Sequence, residues 1–345
     1  MQRFLIASVT AVLALTAAPA GAQVYPDRIV VKAKARALSS ATAYQRRDDN
    51  REEQTERTTK TFKLGPSGSL SLGNISGDIT VTRGNGPDTT VEIVKTARGR
   101  DVADAKELLQ LVTVDATERN GRAEVKAQYP SGDDMRRRNR RGVNVNVTYI
   151  VTAPAGIRVS AESISGNVRI TDIKGDVSAT TISGDVKITG GHVGIAKTIS
   201  GSVEVVDAQI DGPLESSSVS GDVTLRRVTA RRVEAGSVSG DIRLEDVQSE
   251  RVSAHTTSAG ISLTGTLLKN GRYELKGFSG DVRLELSGNT GFELDASTFS
   301  GDIKSDFPIT THGRVGRRSM SGTFGDGSAI LDVSTFSGSI FIKKR

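Results

Sequence analysis

The stretch TISGDVKI, residues 181–188, would pass for a single short strand if it stood alone. Its core returns as SVSGDVTL (218–225), SVSGDIRL (237–244), GFSGDVRL (277–284) and TFSGDIKS (298–305). A Ser-Gly pair or a close variant falls at 165, 183, 200, 220, 239, 258, 279, 300, 321 and 337, at intervals of 16 to 21 residues, with Ser258-Ala259 as the variant. A unit this short cannot bury its own apolar face. Sustained repetition at this period therefore predicts a solenoid in which each unit stacks on its neighbours.

Each unit carries an alternating run such as Val219-x-Gly221-x-Val223-x-Leu225, and a second such as Val233-x-Ala235 or Val252-x-Ala254. Period-2 alternation marks half-buried strands and, with the glycine at a fixed place, excludes helical repeats of similar length. The fold class expected is all-β: a parallel β-solenoid of about ten turns of ~20 residues, with two or three short strands per turn. The alternation puts Ile182, Gly184 and Val186 on the inward side, with Gly221 and Gly240, and turns Ser and Asp outward. Gly77, Gly166, Gly184, Gly201, Gly221, Gly240, Gly280, Gly301, Gly322 and Gly338 are then structural residues, kept as glycine by a crowded interior or a positive φ.

The chain has 345 residues, no cysteine, no tryptophan, 37 glycines and only 4% aromatics. A core of small β-branched residues suits thin repetitive sheets. MQR, the apolar run at 4–20 and the small residues AGA (20–22) have the form of a secretory signal peptide, expected to be cleaved after Ala22. The run is broken by Ser8, Thr10, Thr16 and Pro19, and is shorter than the ~20 apolar residues of a membrane span. No transmembrane span is expected after cleavage, and no disulfide can hold the mature 323 residues (345 less 22). Its net charge is +5, the chain's +6 less Arg3, so it is moderately basic.

Four segments are expected: the signal peptide at 1–22, a charged disordered linker at 23–60, an antiparallel strand module with one helix at 61–161, and solenoid repeats with a C-terminal cap at 162–345. The linker reading rests on ATAYQRRDDNREEQTERTTK (41–60), which mixes charge signs and has neither helical nor strand periodicity. In the leading module Asp101 is placed to cap a helix running to Val112, with Val102, Ala105, Leu109 and Val112 on its apolar stripe. Asn120-Gly121 is placed to turn a hairpin.

The succession LSLGNISGDITVT (70–82), a short helix with AKELLQ (105–110), the block VTYIVTAPAGIRVSAESISGNVRITDIKGDVSATTISGDV (147–186) and the Ser-Gly-Asp ladder resembles the bacterial putative-adhesin family of β-strand-repeat proteins, a family of unknown function. The likeness runs from about Phe62 to the C-terminus. It implies an exported, cell-envelope or surface β-solenoid, right-handed, and carries over no catalytic residue.

Chemistry is sparse in the chain. Its three histidines, His192, His255 and His312, have no second ligand at metal spacing, and no nucleophile elbow or phosphate-cradling glycine loop is present. No cofactor and no metal site are therefore expected. A rival reading comes from β-helix enzymes that cleave acidic polysaccharides with clustered carboxylates or calcium. Against it, the position after Ser-Gly reads Asn167, Asp185, Ser202, Asp222, Asp241, Gly260, Asp281, Asp302, Thr323, Ser339, and two residues on stand Arg169, Lys187, Arg243, Arg283 and Lys304, giving a charge-balanced face in which only Asp222 lacks a base beside it.

One run suits binding: Arg136, Arg137, Arg138, Arg140 and Arg141 could engage anionic envelope polymer, although a solvated loop whose charge is partly offset by Asp133 and Asp134 is the simpler reading of the residues. The loop lacks interleaved aromatics, so nucleic acid is not the expected partner. Seven of nine phenylalanines lie at or beyond residue 278, as an end seal or as a partner surface. The function expected is an exported, non-enzymatic β-solenoid presenting a repetitive surface for envelope interaction or adhesion. The alternatives are a polysaccharide lyase or hydrolase and a structural or signalling partner of envelope proteins.

Overall fold

Short β-branched segments separated by polar corners satisfy their backbone by pairing with the same segment one repeat away. In the computed structural model, which describes residues 51–132, 143–311 and 316–345, they build two long sheets. One sheet runs through Ile79–Arg83, Val168–Thr171, Val186–Thr189, Val203–Val206, Val223–Arg226, Ile242–Glu245, Ile261–Thr266, Val282–Ser287, Ile340–Lys344 and Ile303–Ser305, in that spatial order and parallel throughout. The other carries the longer strands, from Ser69–Ser76 through Arg158–Ser165, Asp176–Ser183, His192–Lys197, Gln209–Ser218, Thr229–Ser237, Gln248–Thr256 and Arg272–Ser279 to Ala329–Ser337 and Phe292–Ser300. Among the described residues the fold is all-β and solenoid-like, with one helix and with antiparallel strands at both ends.

The core lies between the two sheets as stacked columns. Val186 pairs with Val168 on one side and Val203 on the other, and Val233 with Leu214 and Val252, all buried. Like side chains therefore meet along the stack, which is why one short apolar pattern repeated along the chain suffices as a core.

Four expectations need correction. The linker does not extend to residue 60, because Glu52–Phe62 is a strand paired antiparallel with Thr89–Gly99. It shows no apolar period because it is an edge strand with mostly exposed side chains. It is matched by cross-strand charge instead, with Arg57–Glu92 at 2.7 Å, Lys95–Glu56 at 2.8 Å and Arg98–Glu53 at 2.8 Å. The expected leader and the rest of 1–50 lie outside the described residues. Second, the repeats do not begin at 162, since Ser69–Ser76 and Ile79–Arg83 already stack in parallel on Arg158–Ser165 and Val168–Thr171.

Third, chain order is not stacking order. The last strands in the chain, Ala329–Ser337 and Ile340–Lys344, lie between the pair Arg272–Ser279/Val282–Ser287 and the pair Phe292–Ser300/Ile303–Ser305. Identical corner chemistry in every unit makes these pairings locally equivalent, so the repeat pattern does not specify the order. Fourth, Ser321-Gly322 is not a step of the stack: Ser319–Phe324 pairs antiparallel with Phe292–Ser300.

The helix is Val102–Leu111, with the Asp101 side chain accepting the Asp104 N–H at 2.8 Å. Its buried residues are Ala105, Leu108 and Leu109, while Val102 is exposed, so the packed face is rotated from the expected stripe. Asn120 and Gly121, both at positive φ, close the hairpin between Thr113–Arg119 and Arg122–Gln128.

Candidate interaction face

Three ladders meet at each Ser-Gly-Asp corner. The first is steric: a Cβ on Gly166 would fall on the carbonyl oxygen of Gly77, one on Gly184 on that of Gly166, one on Gly201 on that of Gly184, and so on through Gly221, Gly240, Gly280, Gly338 and Gly301. Successive turns cross here backbone on backbone, and φ is +147° at Gly184 and +148° at Gly201. The crowding thus comes from the preceding turn and not from the interior. Ala259 takes the corresponding place in its turn, and Gly322 lies outside the column, against Thr310.

The second ladder lies just inside the corner, where at most turns a buried hydroxyl three residues before the glycine donates to the glycine carbonyl of the neighbouring turn, while Asn74 and Gly277 hold that place before Gly77 and Gly280 and the Ser163 hydroxyl before Gly166 makes no such bond. Thr181 donates to Gly166 at 3.0 Å, Thr198 to Gly184 at 2.9 Å, Ser218 to Gly201 at 2.8 Å and Ser237 to Gly221 at 3.0 Å. The third lies outside. Asp78 accepts the Asn167 N–H at 2.9 Å, Asn167 that of Asp185 at 2.9 Å, Asp222 that of Asp241 at 2.9 Å and Asp241 that of Gly260 at 3.0 Å. The hydroxyl residue two before the Ser-Gly pair, the glycine and the residue after it thus answer to backbone groups of adjacent turns.

With Thr181 or its equivalent held inward, strand alternation turns the next residue outward. Ile182 and Val219, expected inside, are 43% exposed, because the corner adds a residue between them and the inward Val186 and Val223. The same holds at Ile75, Ile164, Ile199, Val238, Phe278, Phe336 and Phe299. Nine of the thirteen exposed large apolar residues of the described chain stand in this one column. Pairing of the flanking residues fixes its order, as Thr181 with Ser163, Ser218 with Ser237, Gly277 with Thr335 and Thr298 with Thr335. Thr257 is its one polar step among the described residues. At the far end Phe278, Phe336 and Phe299 stack, with centroids 5.0 and 4.7 Å apart and planes within 5°. At the near end an open groove of about 480 Å³ runs beside Ile75, Ile164 and Ile182, lined also by Gly73, Thr180, Lys126 and Glu162.

The C-terminal phenylalanines divide by environment. Phe292 and Phe307 are buried and pack with Phe324 as a cluster at 4.8–5.3 Å, sealing the end of the core. Phe341 lies under Arg283 and Lys304 on the other sheet.

The acidic column is engaged by arginine. Arg243 reaches Asp222 at 2.5 Å and Asp241 at 2.7 Å, so Asp222, expected to lack a base, takes one from the next turn. Arg283 pairs with Asp281 at 2.6 Å, Arg317 with Asp302 at 3.0 Å and Lys187 with Glu204, not Asp185, at 2.7 Å. Hydrogen bonds from Arg243, Arg317 and Arg227 hold the carboxyls of Asp222, Asp302 and Asp207 below the usual carboxylate range. His192 Nε2 accepts the Asp211 N–H at 3.1 Å, with Nδ1 2.9 Å from Asp176. Among the described residues no three His, Cys, Asp or Glu side chains are grouped to hold a metal ion, and no helix is long and apolar enough to cross a membrane. Arg136, Arg137, Arg138, Arg140, Arg141 and His312 lie outside the described residues.

The family model Toastrack DUF4097 matches residues 144–242 and 195–343, together more than half of the chain. The chain belongs to the Toastrack DUF4097 family. No curated protein matches it. Among solved structures, a "putative lipid binding protein" from Parabacteroides distasonis ATCC 8503 is 14% identical over 84% of this chain and 97% of its own, with a TM-score of 0.44. A "putative adhesin" from the same organism is 12% identical over 83% and 97%, at 0.43, and one from Parabacteroides merdae ATCC 43184 is 13% identical over 84% and 96%, at 0.40.

Proposed function

We propose that this Toastrack protein is an exported, non-enzymatic scaffold of the cell envelope that acts by contact along its repetitive outer surface. The observation that carries the reading is the exposed apolar column from Ile75 to Phe299, bordered by small and hydroxyl residues. An apolar patch of this extent on a soluble protein marks an interaction site. The acids that a polysaccharide-cleaving reading would need hold backbone N–H groups and arginines instead.

The segment at 1–22 serves in this reading as the export signal, cleaved after Ala22. The arginines at 136–138 and 140–141 add a second, electrostatic contact for anionic envelope polymer, which weakens with salt because exposed charges are screened over ~8 Å at physiological ionic strength. The test incubates purified protein with acidic polysaccharides, with and without calcium, and passes it over envelope fractions. Retention without products is expected, and released oligosaccharide would overturn the non-enzymatic reading. Replacing the five arginines by serine is expected to abolish retention on anionic polymer and leave the melting temperature unchanged.

A further inference from the structure

We infer that the apolar column pairs with the same column of a second copy of this chain, running antiparallel to it about a two-fold axis between Val219 and Val238. The inference rests on the contact reading above and names the partner.

The column is asymmetric in a way that complements itself. Its order is Ile75, Ile164, Ile182, Ile199, Val219, Val238, Thr257, Phe278, Phe336, Phe299. Reversing one copy on the other about the centre sets Phe299 opposite Ile75, Phe336 opposite Ile164 and Phe278 opposite Ile182. The protruding end, where Phe278, Phe336 and Phe299 are 55%, 45% and 64% exposed in stacking order, then faces the grooved end beside Ile75, Ile164 and Ile182. Ridge and groove on one surface, at equal distances from its middle, are what an isologous interface needs. A parallel arrangement would set the phenylalanine stacks against each other and leave the groove empty.

Size and charge agree. Ten levels spaced ~4.8 Å give a column about 45 Å long, and with its two flanking columns it is roughly 15 Å wide. That is about 700 Å², close to the ~800 Å² each partner contributes to a standard interface. Bordering charges are neutralised within each copy: Lys126 by Glu124, Lys276 by Glu274 and Lys197 by Glu215. Among the described residues the one charge left over on this border is Glu162 in the groove, near Lys126, which does not draw the face to an anionic surface and, on reversing one copy, faces the phenylalanine end and not its own counterpart. The stack covers both ring faces of Phe336 and one each of Phe278 and Phe299, so the ridge presents mainly ring edges, which suit the isoleucine-lined groove better than the flat face of a sugar ring.

The test uses the full chain by light scattering at about 1–100 µM, a range that covers the weak, micromolar end of the affinities of interfaces this size. Wild type is expected at twice the chain mass, and the variant Ile182→Ser/Phe278→Ser/Phe336→Ser at the chain mass with an unchanged circular dichroism spectrum. As the chain has no cysteine, single cysteines read the orientation directly. A mixture of Ile182→Cys and Phe278→Cys is expected to give a bismaleimide-linked heterodimer across the ~10 Å between facing sheets. Phe278→Cys alone is expected to give none. A monomeric wild type overturns the second copy as partner, as do self-linked Phe278→Cys or column-dependent binding of the monomer to phosphatidylcholine vesicles. If wild type is monomeric and the triple variant still loses envelope retention, only the self-pairing falls. If the variant keeps both its dimer and its retention, the contact reading falls with it.

Discussion

Gly240 shows how little of a repeated residue's role is visible from its own turn. Its missing side chain makes room for the carbonyl of Gly221, nineteen residues earlier and one turn away. Gly240→Ala is expected to lower stability by about 1–3 kcal/mol, since the obstacle is backbone and cannot rotate aside, and chemical denaturation measures it. Asp222 and Asp241 give the opposite contrast. Each accepts a backbone N–H of the next turn, and Asn167 does the same with an amide oxygen. Asp222→Asn/Asp241→Asn is therefore expected to cost under about 1 kcal/mol, the worth of exposed ion pairs. Asp222→Ala/Asp241→Ala is expected to cost about 1 kcal/mol more per site for the orphaned donors. Calcium is expected to leave the melting temperature of wild type unchanged, and a rise that disappears in the Asn variant would make these acids metal ligands. The need for glycine was legible in the repeats. Its cause was not, because alternation assigns a residue to a face and carries nothing about the turn above or below.

At the scale of elements, the phenylalanine-rich end divides into a seal and a surface. Phe292 is 1% exposed among Phe307 and Phe324, whereas Phe299, seven residues on, is 64% exposed. Phe292→Ala is expected to destabilise by about 3–5 kcal/mol and Phe299→Ala by less than about 0.5 kcal/mol, with thermal melts as the readout. Composition registered both as one cluster, since residue type does not distinguish a ring that closes a core from one that crowns a corner. The edge strand Glu52–Phe62 escaped for a related reason: its partner supplies the matching charges, so its own sequence carries no period. The helix, the Asn-Gly hairpin and the short strands were legible because capping, turn and alternation signals are local.

For the whole molecule, inter-turn ion pairs tie stability to acid. The carboxyls of Asp207, Asp222 and Asp302 titrate below their unfolded values through their arginine partners. Their contribution is present above the unfolded carboxylate pKa of ~3.9 and is lost as pH falls through the lower folded values. The melting temperature is expected to hold from pH 7 to about 5 and to drop below about 4, with a shallower drop in Arg243→Gln, which lacks the Asp222 partner. A steeper drop in that variant would refute the assignment. The sequence by itself determined an all-β repeat, its family, its glycine-marked corners and the absence of disulfides, because period, turn chemistry and composition are properties of short segments. Only the tertiary structure decided that the final turn inserts ahead of its predecessor and that the residue before each Ser-Gly points outward into one continuous column. Stacking order and the facing of a corner depend on which backbone groups of distant turns meet, and identical repeats leave that choice to the packing of the whole chain.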